Sequence, residues 1–113
     1  MAKRYGMVIG LNEDKLAKYK KLHAAVWPGV LKMISNCNIV NYSIYLRRMP
    51  DGKFYLFSYF EYAGSDFAAD MAQMAADPTT QKWWQLCMPC QAPLQDRAEG
   101  EWWANMEEVF HCD

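Results

Sequence analysis

One of the two histidines in the chain stands between a tyrosine and a tryptophan, each four residues away, in the segment 19–29, YKKLHAAVWPG. Residues four apart lie one above the other on a helix, so Tyr19 and His23 would share one face. An imidazole can give or take a proton near neutral pH, and a phenol beside it can supply a directional hydrogen bond. The spacing therefore predicts one wall of a reaction site, although a satisfied core histidine would show the same pattern.

Three further aromatic residues could reach the same space. Segment 41–46, NYSIYL, is typical of a strand, and Tyr42 joins the histidine if its side of that strand faces the helices. Trp83 and Trp84 are neighbours in a helical segment, where adjacent residues point about 100° apart because a turn holds about 3.6 residues. Only one indole can then be central, with the other at the rim. Flat aromatic faces suit the C–H face of a sugar ring, but each of these side chains could equally be core packing.

The composition describes a chain with material for a sizeable core and no strong charge. Of its 113 residues, 52% are hydrophobic and 15% aromatic, and 12 basic against 13 acidic side chains leave a net charge of −1. This length suits one domain, residues 1–113. The balanced charge predicts neither nucleic acid nor an anionic membrane as a partner, and no apolar run approaches a membrane span. The N-terminus does not have the pattern of a signal peptide, so we expect a cytoplasmic protein.

Four cysteines are present, and in a cytosolic protein free thiols that pack in the core are expected. Cys87 and Cys90 have the C-x-x-C spacing of redox and zinc motifs. They are expected to close a helix, whereas a redox pair needs the beginning of one, where the dipole lowers a thiol pKa. A zinc site would require His111 and Cys112 to fold back onto them. We therefore predict packing cysteines and no metal.

The pattern along the chain predicts six elements in the order β-α-β-β-α-β, with the second helical unit in two pieces. Asn12 and Ser65 are the expected caps of the two helical units, and Pro28 should interrupt the first. MPDG, residues 49–52, predicts a tight turn between two antiparallel strands. The expected strands are 4–11, 38–48, 53–62 and 101–111, and the expected helices are 13–27 with a restart at 29–36, one after Ser65, and one from Pro78 through Met88.

This order gives a ferredoxin-like α+β fold, with one four-stranded antiparallel sheet and helices on one face. The third strand is apolar on both sides, since Tyr55, Phe57 and Tyr59 lie opposite a second apolar row. A sheet face open to water should instead be polar. We therefore expect a second copy of the chain to cover it, in a homodimer packed sheet to sheet in the manner of a dimeric α/β barrel.

The order and spacing of four blocks resemble the L-rhamnose mutarotase family over nearly the whole chain. The blocks are YKKLHAAVWP, which holds Tyr19 and His23, then NYSIYL, QKWW and the closing MEEVFH. The resemblance implies a small cytoplasmic homodimer that interconverts the α and β anomers of a 6-deoxy sugar without a cofactor. It also implies that His23 is the proton donor and that Tyr19, Tyr42, Trp83 and Trp84 line the sugar site.

Anomer exchange opens the pyranose ring, which needs one proton delivered to the ring oxygen and one removed from the anomeric hydroxyl. The identity of the general base that removes the second proton stays open, since water, Glu107 or Glu108 could serve. This chain departs from the family at Leu22, where a basic residue is usual, at Gly29, where an acid is usual, and in a longer loop after the Trp pair. These departures concern the substrate, for which L-rhamnose is the first expectation and L-fucose the second.

Two other classes of protein stay open at this stage. One is a dimeric α/β-barrel monooxygenase, a fold relative that handles haem or a quinol-like aromatic in the same cleft. The other is a non-catalytic sugar-binding module, in which His23 would be dispensable.

Overall fold

The computed structural model describes residues 2–113, and within that range one antiparallel sheet of five strands carries four α-helices. A 3₁₀ turn precedes the first helix and another follows the last. In chain order the elements are β1 (Lys3–Leu11), α1 (Leu16–Ala24), α2 (Pro28–Asn36), β2 (Ile39–Arg48), β3 (Phe54–Tyr62), α3 (Phe67–Ala76), α4 (Pro78–Cys87), β4 (Gln91–Ala92) and β5 (Ala104–Met106).

Strand β1 is the centre of the sheet. It pairs along its whole length with β3, whose other edge pairs with β2. The second edge of β1 is shared by two short strands, β4 opposite Gly10 and Leu11 and β5 opposite residues 6–8. The predicted ferredoxin-like order is therefore confirmed, but its fourth position is filled by two pieces. Only three residues of the predicted strand 101–111 form a strand, which is β5. Strand β4 lies in the segment after α4, for which the sequence predicts a loop.

The core lies between the sheet and the helices. Strand β3 alternates, so that Leu56, Ser58, Phe60 and Tyr62 are buried towards the helices, while Phe57, Tyr59 and Glu61 on the other side are only partly covered. Burial of such side chains is the main favourable contribution to folding. Two groups of buried residues result, which are Ile9, Leu11, Tyr19, Val30, Leu56, Trp83, Cys87 and Cys90 under α1, α2 and α4, and Ile39, Phe60 and Tyr62 under α3.

A β-bulge in β2 decides which side of the strand faces the helices. Val40 pairs with Glu61 and Ser43 with Tyr59, so two residues of β2 face one residue of β3. Asn41 takes a positive φ of 51°, the conformation of a bulged residue. Regular alternation along the strand predicts Val40 on the same side as Tyr42, and this is wrong, because the extra residue turns Val40 to the outer face.

Proline ends α1 earlier than predicted. The helix stops at Ala24 instead of Trp27, and Trp27 is extended, with φ −60° and ψ 136°. A residue before proline is pushed out of the helical region by the proline ring, whereas proline itself fits the first turn of a helix. Pro28 therefore begins α2 directly, and residues 25–27 form the corner between the two helices.

The turn between β2 and β3 is the one that MPDG predicts. Gly52 has a φ of +83°, and its N–H donates to the carbonyl of Met49 at 2.9 Å. The carboxylate of Asp51 accepts from the N–H of Lys53 at 2.9 Å. Glycine adopts a positive φ without the steric penalty that a Cβ atom causes, so Gly52 helps to fix the register of the hairpin.

Aspartates cap both helices of the second unit. Asp66 accepts from the N–H of Ala69 at 3.1 Å, so the predicted cap at Ser65 is wrong by one residue. Asp77 accepts twice from Thr80, from its N–H at 2.9 Å and from its hydroxyl at 2.7 Å. Thr80 is buried, so Asp77 is the partner of a hydroxyl that water does not reach.

The two caps should differ in their contribution to stability. Asp66→Ala should lower the free energy of unfolding by about 1 kcal/mol, the ordinary value of an exposed cap. Asp77→Ala should lower it by about 2 kcal/mol or more, because the buried Thr80 hydroxyl also loses its acceptor. Urea denaturation measures both, with Asp77→Asn as a control that keeps an acceptor. Equal losses at the two positions would contradict the proposed role of Thr80.

Candidate active site

The hydrogen bond of His23 sets the tautomer of its ring. Nδ1 lies 3.0 Å from the backbone carbonyl oxygen of Tyr19, one turn earlier on α1. A carbonyl oxygen can only accept, so Nδ1 must carry the proton. In the neutral ring Nε2 then has a free lone pair, and within residues 2–113 it has no hydrogen-bond partner.

Aromatic rings hold the imidazole from two sides. The ring of Tyr19 stacks on it with centroids 4.1 Å apart and planes 23° apart. The indole of Trp83 meets it edge-on at 5.3 Å, and Trp27 in turn meets Trp83 edge-on at 5.3 Å. Helices α1 and α4 and the corner before α2 each supply one of these side chains. The structure thus brings together three of the five predicted site residues around one half-buried ring.

Burial keeps the titratable groups of this cluster neutral. It lowers the pKa of His23 below its usual 6.5, and the Tyr19 carbonyl offsets this only in part. At pH 7 the imidazole is therefore uncharged. Tyr19 is 4% exposed, and burial raises the pKa of its phenol. Its hydroxyl therefore stays protonated and can donate a hydrogen bond.

Tyr42 comes to the same side of the sheet through the bulge in β2. Its ring meets Phe60 edge-on at 5.5 Å. Although 43% of the residue surface is exposed, burial raises the pKa of its phenol to about 12, and the neighbouring Cys87 adds to the shift. The desolvated part is thus the hydroxyl end, which points in towards α4. Tyr42 also contributes to the raised pKa of Tyr19.

The two adjacent tryptophans divide as the helical geometry predicts. Trp83 is 6% exposed and contacts the imidazole. Trp84 is half-buried and packs against the same core group from its edge. About 100° separates their directions on α4, so one indole is central and the other lies at the rim.

A hydrogen-bonded chain of polar groups next to Tyr19 was not predicted. The Gln91 side-chain amide donates from Nε2 to the Tyr19 hydroxyl at 3.2 Å, and its Oε1 accepts from Nε1 of Trp102 at 2.7 Å. Gln91 falls in a segment expected to be a loop, where a lone amide gives no pattern. Ser58 was missed too. It is buried on the helix side of β3, and its hydroxyl has no hydrogen-bond partner within residues 2–113.

Three of the four cysteines, Cys37, Cys87 and Cys90, are buried packing residues, as predicted, whereas Cys112 is exposed. All four are free thiols, and Cys87 ends α4 beside the site. Burial raises the pKa of Cys87 to about 12, so its thiol is not activated. In the described part of the chain, no three side chains of His, Cys, Asp or Glu stand close enough together to bind a metal ion.

Glu108 is not placed to act on the histidine. Its carboxylate forms an ion pair with Arg4 at 2.9 Å. Arg4 lies on the outer face of β1, since its neighbour Tyr5 packs under α3. Glu107 is exposed beyond the end of β5. The base left open by the sequence therefore has to be sought in the aromatic cluster or in water.

Two hollows of the surface lie elsewhere. A groove of about 490 Å³ runs along one end of the sheet, beside residues 10–13, 52–55 and 92–95. A second, more open hollow of about 480 Å³ lies in the loop 95–101. Neither contains any of the five predicted site residues. The candidate site is thus distinguished by its chemistry, since aromatic rings fill the space around His23.

No helix within residues 2–113 could cross a membrane, since the longest has ten residues and a span takes about 20.

Comparison with known proteins identifies the family. The family model described as L-rhamnose mutarotase matches residues 4–112. An L-rhamnose mutarotase of Phocaeicola vulgatus is 32% identical over 96 residues, which cover 85% of each chain. One of Lactiplantibacillus plantarum is 28% identical over 110 residues, covering 97% of this chain and 98% of the relative. The crystal structure of L-rhamnose mutarotase from Formosa agariphila superposes with a TM-score of 0.71 at 20% identity, covering 98% of this chain and 99% of that one, which supports the fold.

The match spans every element that builds the aromatic cluster, from β1 to β5. The chain belongs to the L-rhamnose mutarotase family and is an isomerase of the mutarotase class.

Proposed function

We propose that this chain interconverts the α and β anomers of L-rhamnose, with L-fucose as the second sugar to test. One observation carries the proposal: a half-buried imidazole, packed between the Tyr19 phenol and the Trp83 indole, has its Nδ1 bonded to its own helix, so that Nε2 is free to exchange a proton with a ligand. The named relatives support L-rhamnose. Leu22, Gly29 and the long loop after α4 depart from the family pattern, which keeps L-fucose in the comparison.

His23 acts as the proton donor to the ring oxygen. Because the resting imidazole is neutral, we propose that Nε2 first takes the proton of the anomeric hydroxyl. The C1–O5 bond breaks as C1=O1 forms, and the imidazolium then gives the same proton to O5. After rotation about C1–C2 the steps reverse on the other face of the aldehyde. Protons and electrons balance with one side chain, so the scheme needs no separate base and no cofactor.

The aromatic residues hold the sugar for this transfer. We assign sugar hydroxyls to the neutral phenols of Tyr19 and Tyr42, which can donate at any physiological pH. The apolar face of a 6-deoxy sugar, with its methyl group, suits the indoles of Trp83 and Trp84. Fixing the ring in this way supplies orientation, which is a large part of catalysis in such reactions.

We also propose that the chain works as one mutarotase-like domain, residues 1–113, and as a homodimer. On the outer face of the sheet Tyr45 is 65% exposed. The C-terminal segment 107–113 adds Val109 and Phe110, which are 88% and 80% exposed, and the ion pair of Glu108 with Arg4 holds that segment beside the same face. Apolar side chains concentrated on one face are typical of a surface that a partner covers.

The cytoplasm is the proposed location. Four free thiols suit a reducing compartment.

Two rival functions predict different experimental results for the same protein sample. A monooxygenase is not favoured by the family match, and it would show a haem Soret band or oxygen uptake with an aromatic substrate. A sugar-binding module would bind L-rhamnose without changing its rate of anomer exchange. Saturation-transfer proton NMR on the anomeric signals of L-rhamnose and L-fucose separates these outcomes.

His23→Ala should lower the enzymatic exchange rate by about 10²–10⁴-fold, because a positioned proton carrier contributes that much. The matched control is His111→Ala, since this second histidine is exposed near the C-terminus and bonds to Asp113. The control should exchange L-rhamnose at the rate of the unsubstituted protein. Loss of activity in both variants, or in neither, would refute the assignment to His23.

The pH profile should reveal which form of His23 begins the cycle. Since the neutral imidazole takes the first proton, kcat/KM should fall as pH drops through the lowered pKa of His23 and stay flat above pH 7. If a protonated His23 began the cycle, with water as the base, activity would instead rise as pH falls. The profile is measured by the same NMR exchange method after subtraction of the uncatalysed rate.

Tyr45→Glu should weaken the proposed dimer by more than about tenfold, because a buried unpaired charge is costly. The control is Leu31→Glu on α2, an exposed apolar residue on the helix side of the sheet. Light scattering on a sizing column should give twice the 13.2 kDa chain mass for the unsubstituted protein and the control. A monomeric unsubstituted protein would contradict the dimer.

A further inference from the structure

The chain of hydrogen bonds that joins Trp102, Gln91 and Tyr19 has a fixed direction. An indole N–H can only donate, so the group facing Trp102 at 2.7 Å must be the oxygen of the Gln91 amide. The nitrogen of that amide then faces Tyr19, at 3.2 Å. Because an amide nitrogen only donates, the Tyr19 oxygen must accept. Trp102 therefore sets the direction of both hydrogen bonds, the one to Gln91 and the one from Gln91 to Tyr19.

The backbone around Gln91 keeps this geometry in place. Gln91 belongs to β4 and pairs with Leu11 of β1. Asn12 adds two contacts, with its N–H on the Cys90 carbonyl at 2.9 Å and its side-chain amide on the Gln91 carbonyl at 3.5 Å. Gln91 is itself buried. Its side chain thus projects from a paired strand. Trp102, which follows the loop 93–101, contacts the end of that side chain.

The hydroxyl proton of Tyr19 is left unused. Its oxygen accepts from Gln91, and within residues 2–113 no acceptor receives its proton. A buried donor without an acceptor is unfavourable, and most buried polar groups have partners. His23 stacks on the face of the Tyr19 ring, and Tyr42 lies close enough to add to the raised pKa of the Tyr19 phenol. The proton is therefore free for an acceptor that binds beside these residues.

We propose that Trp102 and Gln91 are positioning residues that turn the Tyr19 hydroxyl into an obligate donor to an oxygen of the sugar. This inference rests on the proposed function for the identity of the acceptor. It gives the long loop after α4 a task at the site, since that loop delivers Trp102. The specificity it confers is for a sugar with an accepting oxygen beside the anomeric centre.

Gln91→Glu tests the direction at nearly constant volume. The introduced carboxylate can accept from both Trp102 and Tyr19, so it captures the proton that the sugar would receive. We expect kcat/KM for L-rhamnose exchange to fall about five- to tenfold, mainly through KM. Gln91→Met, which leaves the Tyr19 proton free, should cost less than about threefold. A loss in Gln91→Met as large as in Gln91→Glu would overturn the proposal.

The double variant shows whether the effect passes through Tyr19. Tyr19→Phe removes the hydroxyl but keeps the stacked ring and the carbonyl that bonds His23. In this background Gln91→Glu should change kcat/KM by less than about twofold, since the group it acts on is gone. If the full loss persists, Gln91 acts by another route and the proposal is wrong.

Nuclear magnetic resonance tests the Gln91 lock, meaning the hydrogen bonds of Gln91 to Trp102 and Tyr19, without an activity assay. The side-chain amide signals of Gln91 are identified by their absence in Gln91→Glu. They should shift in both Trp102→Phe and Tyr19→Phe, which remove one partner each. Unmoved signals in either variant would overturn the lock. An unsubstituted protein that does not accelerate anomer exchange would refute the proposed function and the sugar as acceptor, while the amide signals would still decide the lock.

Discussion

The hydrogen bond from Nδ1–H of His23 to the Tyr19 carbonyl is the constraint on which the site depends. It joins the imidazole to the backbone of its own helix, so the tautomer does not depend on a titrating partner. A carboxylate in that place would raise the pKa of the ring and keep it charged. With a carbonyl and partial burial, the ring stays neutral and its free nitrogen can both take and give a proton. The aromatic cluster adds orientation to this one property.

The rest of the fold brings the other residues to that nitrogen. Asp77 caps α4 and so fixes the helix that presents Trp83 to the imidazole. The bulge at Asn41 turns Tyr42 to the helix side of the sheet, which a regular strand with the pairing of Ile39 would not do. Strand β4 holds Gln91 beside Tyr19. Each contribution is local: one is a helix cap, one is a bulge in the pairing with β3, and one is a short strand paired with β1.

Much of this arrangement could be predicted from the sequence, because periodicity and turn chemistry are local. The four-residue spacing of Tyr19 and His23 and the positive φ required by Gly52 are examples. The bulge could not be predicted, because one extra residue in a strand leaves no signal in the composition of the segment. It nevertheless moves every side chain before it to the opposite face of the sheet. The hydrogen bonds of Gln91 could not be predicted either. They join residues 72 and 11 positions apart, and only the folded loop brings them together.

The protonation of His23 can be observed directly by nitrogen-15 NMR of the imidazole at pH 7, and we would measure it first. We predict a neutral ring with the proton on Nδ1, a pKa below 6.5 on titration, and a change confined mainly to Nε2 when L-rhamnose is added. A ring charged at pH 7, or a neutral ring with its proton on Nε2, would contradict the central claim that a free Nε2 begins the reaction.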